Sequence, residues 1–138
     1  MIYIAQVIIT IFVIWSAIQQ GRKHEINRKK TTKERKAWHR NNFLLYCAVC
    51  IGCIFIAGYH ENWWKIIIAS LVIRVALFDK FYANAAGLGA TYIGDGVEFL
   101  EGIEVKIFGT YGGKKKTLVS ILVLITLNIL NYLFTLKS

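Results

Sequence analysis

The chain contains no proline and few acidic residues. The lack of proline bears on its domain organisation. Its 138 residues include 17 lysines and arginines but 8 aspartates and glutamates. With no proline, and no Ser/Gly-rich or repeated segment, nothing in the chain suggests a flexible linker between independently folding parts. We therefore expect residues 1–138 to form a single domain.

Apolar residues make up 56% of the chain, and they are concentrated in long runs. A bilayer core about 30 Å thick requires about 20 mostly apolar residues at a helical rise of about 1.5 Å each. Runs near this length lie at about 2–20, 43–59, 64–83 and 118–136. The sequence thus predicts an all-α membrane protein, a four-transmembrane-helix bundle. Residues 64–83 contain Arg74 and could instead form a re-entrant or interfacial helix.

Lysine and arginine are distributed unevenly between the predicted loops. Nine of them lie between Arg22 and Arg40, and three more, Lys114–Lys116, directly precede the last apolar run. Because basic residues in short loops are retained on the cytoplasmic side, we expect a basic cytoplasmic loop at about 21–42 and a Gly-rich cytoplasmic segment at about 84–117. Both termini would then lie outside, with the protein in the cytoplasmic (inner) membrane.

The basic loop also has a local structure and a possible partner. Thr31 and Glu34 have the spacing of a capping box, so a helix could begin there and continue unbroken into the second span. Five cationic residues of the loop are candidates for contact with anionic lipid headgroups. They are Lys29, Lys30, Lys33, Arg35 and Lys36. The alternative is that these charges only set the topology. Nucleic acid is not an expected partner, because Trp38 is the single aromatic residue of this stretch.

Three groups of residues resemble cofactor or metal motifs, and each is incomplete. Cys47, Cys50 and Cys53 repeat every third residue, but there is no fourth cysteine, so we interpret them as small packing residues. The glycines before Lys114 lack the spacing of a phosphate-binding loop. The acidic series need not converge on a cation, since Ile103–Ile107 alternates like a strand, and a solvated face is expected. This series consists of Asp95, Glu98, Glu101 and Glu104. No metal, cofactor or catalytic residue is predicted.

Short elements in the middle of the chain resemble those of uncharacterised small integral membrane proteins carried by bacterial phages and prophages. They are His60, Trp64, Arg74, Phe78-Asp79, Tyr82, Asn84 and Tyr92-Ile93-Gly94. The likeness covers residues about 60–98. It implies an origin in a phage or mobile element and transfers no activity. The sequence departs from the family pattern after Gly94, where Asp95 follows directly and no serine precedes it.

Polar residues inside the predicted spans are not scattered. Successive helical residues are 100° apart, so Gln6 and Thr10 share one face of the first helix and Asn128 and Asn131 share one face of the last. These faces should point into the bundle, for interhelical hydrogen bonds or for a polar path. Depth matching predicts that Arg74 hydrogen-bonds to Asn128 or Asn131.

The sequence leaves three classes of function open. The first is a non-enzymatic membrane protein that acts through self-assembly or a membrane-protein partner, in a holin-like or envelope-modifying role. The second is an oligomeric channel or transporter with a polar path lined by helices. The third is an enzyme acting on lipid headgroups, for which Arg74, Asp79 and the acidic series are the candidates.

Overall fold

A computed structural model describes residues 2–57, 63–89, 92, 99–109 and 112–137 of the chain. Six helices occupy these residues, and the described part contains no strand, which confirms the all-α class. They are α1 (Ile2–Arg22), α2 (His24–Arg28), α3 (Thr32–Ala57), α4 (Trp63–Ala85), α5 (Phe99–Phe108) and α6 (Gly113–Lys137).

Three of the described helices are long and apolar enough to cross a membrane. They run over Ile2–Arg22, Lys33–Ala57 and Gly113–Leu133. Helix α4 is not among them. Its 23 residues include four charged side chains, namely Lys65, Arg74, Asp79 and Lys80, which is more charge than a lipid-facing span normally carries.

Helix α4 nevertheless occupies the centre of the bundle. It packs along α1 for most of its length, and it also contacts α6 and α3. On α1 the buried residues recur every four positions from Ala5 to Gly21. They meet a face of α4 rich in small residues, including Ala69, Ala76 and Ala83. Small side chains let helices approach closely, and close packing, rather than the hydrophobic effect, holds helices together in lipid.

The helix directions follow from contacts at the two ends of the bundle. At one end, the near end, Ile2 and Gln6 of α1 share a cavity with Lys65 of α4. At the other, the far end, His24 just after α1 contacts Tyr82 of α4. Helices α1 and α4 therefore run parallel. Helix α6 runs antiparallel to both.

The basic segment is mostly helical rather than a loop. Helix α1 continues to Arg22, α2 follows, and α3 starts at Thr32 and runs into the apolar sequence, as the capping box predicted. The Thr31 amide donates to the Glu34 carboxylate at 2.9 Å, and the Thr31 hydroxyl donates to it at 2.7 Å. These bonds, the hydroxyl first, lower the pKa of Glu34 below its ordinary value.

The Gly-rich segment holds one correction. Residues 103–107 lie in the helix α5, so the strand-like alternation there was misleading. The residues form a helix although their apolar pattern has a period of two, so the pattern alone does not fix the type of element. Gly87 and Gly89 follow α4 with φ of 72° and 87°, the left-handed region that favours glycine in tight turns.

Candidate functional site: a polar cavity at the near end

A cavity of about 450 Å³ lies among α1, α4 and α6 at the near end. It is large enough for a small-molecule ligand. Five of its lining residues are apolar and four are polar. The apolar set is Ile2, Trp64, Ala69, Leu127 and Leu130, and the polar set is Gln6, Lys65, Asn128 and Asn131.

Two polar pairs join the three helices around this cavity. The side-chain amides of Gln6 and Asn128 bond reciprocally, with Gln6 Nε2 donating at 3.1 Å and Asn128 Nδ2 donating at 3.3 Å. The ammonium group of Lys65 donates to Asn131 Oδ1 at 2.6 Å. Sequence reasoning placed three of these four side chains inside the bundle. Lys65 was not among the polar residues predicted to face the bundle.

Lys65 has a polar partner and an aromatic neighbour, but the partner is neutral. Its Nζ lies 5.7 Å from the ring centre of Trp64, within the range of a cation–π contact. None of the residues known to line the cavity carries a negative charge. Among the described residues, the cavity therefore holds a half-buried cation that no wall residue neutralises.

Arg74 lies deeper, and its contacts differ from the predicted ones. Its guanidinium carbon lies 4.4 Å from the ring centre of Phe78 and 5.2 Å from that of Tyr46. The predicted hydrogen bond to Asn128 or Asn131 is wrong, since those amides bond to Gln6 and Lys65 instead. Depth matching placed the groups at similar levels but did not fix which helix face each occupies.

The far end contains a second group of polar contacts. Asp79 of α4 forms an ion pair with Lys116 of α6, whose residue is 2% exposed. One helical turn away, the Thr117 hydroxyl donates to the carbonyl oxygen of Ala76 at 3.1 Å. This pair was missed in the sequence because Lys116 was assigned to the topology signal. Depth measured from the far end of both helices would have matched Asp79 with Lys116.

Other predicted site residues have local roles or none that is visible. The Thr10 hydroxyl donates to the Gln6 carbonyl on its own helix at 2.7 Å. The five lysines and arginines proposed for headgroup contact are exposed, except for the half-buried Lys30. The side chains of the acidic series, and His60, Ile93 and Gly94 of the resemblance, lie outside the described residues.

Ala48 and Gly52 of α3 have the small-xxx-small spacing that favours close helix packing, but the described part of the structure shows no such packing there. Ala48 and Gly52 are exposed, and a Cβ on Gly52 would meet no atom within 4 Å. Gly21 has the close approach instead: a Cβ there would overlap the carbonyl oxygen of Tyr82 and come within 2.8 Å of Ala85 Cβ. Cys50 and Cys53 are buried packing residues, in agreement with the sequence.

No protein-family model, curated protein or solved structure matches this chain. Its resemblance to phage and prophage membrane proteins therefore stays a prediction.

Proposed function

We propose that the chain is a four-pass protein of the inner membrane that acts without enzymatic chemistry, through self-assembly or a partner in the plane of the membrane. Its resemblance to phage and prophage proteins supports an origin in a phage or mobile element, with a holin-like or envelope-modifying role. Both termini lie outside, and the far end faces the cytoplasm.

Chain connectivity is the observation that carries the four-pass arrangement. Helix α1 ends at the far end and α4 begins at the near end, so α3 brings the chain back between them. Helix α6 begins at the far end, where Lys116 meets Asp79. If α1, α3 and α6 cross the bilayer, α4 must cross as well, in parallel with α1. Its 23 residues span about 34 Å, enough for the hydrocarbon core.

Three of the four charges of α4 are compatible with a crossing because other side chains of the protein contact them, and the fourth, Lys80, is exposed. Asp79 is neutralised by Lys116, Arg74 lies over two aromatic rings, and Lys65 bonds to Asn131. Charged groups in a span are tolerated where they face the bundle interior and find partners there. The helix is therefore suited to the centre of a bundle and unsuited to direct contact with lipid.

The outward surface supports a role within the membrane. Large apolar side chains are exposed along α1, α3 and α6, including Ile11, Phe55 and Leu122. The polar amides that interrupt the spans bond to groups of the same chain. One chain thus presents an apolar exterior. We infer that the protein acts through contacts with other copies of itself or with partner proteins in the bilayer.

Oligomeric state and flux together test this function. The full chain is reconstituted into liposomes, its copies are counted by stepwise photobleaching, and release of an entrapped small dye is followed. We expect defined assemblies of two or more copies or co-purification with a membrane-protein partner. A chain that remains monomeric and partner-free at high density in the membrane would contradict the proposal.

A transporter or channel is the second candidate, and the near-end cavity is the observation that favours it. Four polar side chains from three helices converge there, as a solute site requires. Dye or ion flux that depends on Lys65 and on the number of copies per vesicle would favour this alternative. Flux that is absent, or unchanged in Lys65→Gln, would favour the first function.

Anionic lipid headgroups are the proposed partners of the basic segment. A fluorophore at Thr31→Cys should show energy transfer to labelled anionic lipid, because several exposed cations surround it. Neutralising Lys29, Lys30, Lys33 and Lys36 together, or raising the salt concentration, should reduce this transfer. Neutralising Lys114 and Lys115 serves as the matched control. If neither the neutralised lysines nor the higher salt concentration changes the energy transfer, the proposed lipid role is wrong.

A further inference from the structure

The near-end cavity contains a cation at the depth of the lipid headgroups. Lys65 lies in the first turn of α4, directly after Trp63 and Trp64, which are both exposed. Tryptophan is enriched at the headgroup level of a bilayer, where phosphate groups also lie. In the proposed four-pass arrangement, on which this inference rests, the Lys65 ammonium group thus lies level with the phosphates of one leaflet.

The cavity extends from this cation into the apolar part of the bundle. Ala69, which also lines it, is four residues further along α4, or about 6 Å deeper in the membrane. Trp64 and Leu130 line the cavity and are exposed, so it opens toward the surroundings of the bundle. An occupant entering from the bilayer would meet apolar walls and one positive charge.

The polar groups that line the cavity differ in how many further hydrogen bonds they can form. Gln6 and Asn128 are bonded to each other in both directions, which fixes these amides as part of the wall. An ammonium group has three protons, and Asn131 accepts one from Lys65. No other described residue accepts a proton from Lys65, so two remain for an anionic oxygen, the strongest class of acceptor.

We propose that this cavity binds an anionic phospholipid, with its phosphate beside Lys65 and the first part of an acyl chain along Ala69 and Leu127. Charge complementarity selects this occupant, because the walls supply a cation and no described carboxylate. The mostly apolar lining selects an acyl chain over a free anion. This site is separate from the basic segment, which lies at the far end of the bundle.

Quenching of Trp64 by brominated lipids tests the site directly, since bromine quenches tryptophan on contact. The full chain, with Trp15, Trp38 and Trp63 replaced by phenylalanine, is placed in phosphatidylcholine nanodiscs. Brominated phosphatidylglycerol and brominated phosphatidylcholine are then compared at equal mole fraction. We expect the anionic lipid to quench with an apparent affinity about tenfold higher, equivalent to about 1.4 kcal/mol.

Matched variants identify the groups responsible. Lys65→Gln should abolish the anionic preference, whereas Lys80→Gln, an exposed cation elsewhere on α4, should keep it. Ala69→Leu should weaken quenching by filling the cavity. Because Ala69 is buried and its variant could fail to fold, Leu127→Phe provides a second filled cavity at a half-buried position.

The remaining outcomes overturn the proposal. Equal quenching by the two lipids, or a preference that survives Lys65→Gln, would show ordinary contact between Trp64 and the bilayer. If millimolar inorganic phosphate reverses the preference for anionic lipid, Lys65 binds a free anion instead of a lipid. Sidedness labelling of α4 tests the four-pass arrangement independently of lipid type. A wrong lipid site can therefore be distinguished from a wrong topology.

Discussion

The two ends of the bundle differ in the partner that each provides for a lysine side chain. At the far end, the cation of Lys116 meets the anion of Asp79, and the lysine residue is almost fully enclosed. At the near end, the cation of Lys65 meets the neutral amide of Asn131 beside an open cavity. A closed, neutral pair is a structural joint between helices, whereas a half-buried cation next to empty space is available to a ligand. In our proposal, the far end therefore contributes stability and the near end binds the ligand.

Breaking the far-end ion pair should have the largest effect on stability. Asp79→Asn removes the carboxylate that pairs with the buried ammonium group of Lys116, which should lower the free energy of unfolding by about 3 kcal/mol. Lys65→Gln should cost less than about 1 kcal/mol, since its present partner is a neutral amide near the interface. Unfolding of both variants in mixed detergent micelles measures the difference.

A double variant serves as the control for that comparison. Adding Lys116→Met to Asp79→Asn removes the buried positive charge as well and should recover most of the lost stability. If Asp79→Asn and Lys65→Gln prove equally destabilising, or if the double variant is the least stable of all, the contrast between the two ends is wrong.

Disturbing the close helix packing at the far end should have the next largest effect on stability. Gly21→Ala introduces a methyl group against the backbone of α4 and should cost about 1–3 kcal/mol. Gly52→Ala is the matched control, because the same methyl group there meets nothing within 4 Å and alanine is the better helix former. We expect Gly52→Ala to be neutral or slightly stabilising. Equal losses in thermal stability for the two variants would contradict the packing described.

The amide pair at the near end should contribute least. Gln6→Leu and Asn128→Leu, singly and combined, should show a coupling energy of about 0.6 kcal/mol per hydrogen bond, as in other membrane bundles. The corresponding cycle of Arg74→Leu with Asn128→Leu should be additive, because Arg74 contacts aromatic rings instead. Coupling in the second cycle and additivity in the first would restore the pairing predicted from depth.

The sequence predicted the helical class, the apolar runs and the capped start of α3, because each depends on neighbours within one segment. Thr31 and Glu34 need only the same helical turn, and the apolar length of α1 is a count along the chain. Likewise, the inward stripe of α6 was found correctly, since Asn128 and Asn131 bond to the other helices. Helical periodicity is sufficient for such predictions.

Partners between helices could not be predicted in the same way. Depth along the membrane gives one coordinate, but the rotation of each helix and the order of helices around the bundle decide which side chains meet. Arg74 was therefore matched to the wrong amides, and the pairing of Asp79 with Lys116 was missed. Small-residue spacing has the same weakness: Ala48 and Gly52 satisfy the motif, while Gly21 makes the contact.

The sidedness of the two ends of α4 decides whether this helix crosses the membrane. In a chain whose three cysteines are replaced by alanine, single cysteines are introduced at Trp63 and at Leu88, which are exposed and lie on either side of the proposed crossing. Intact cells are treated with an impermeant thiol reagent, and opened cells provide the control for accessibility. If α4 crosses the membrane as proposed, position 63 is labelled in intact cells and position 88 only after opening. Labelling of both positions from the same side would show that α4 does not cross the membrane.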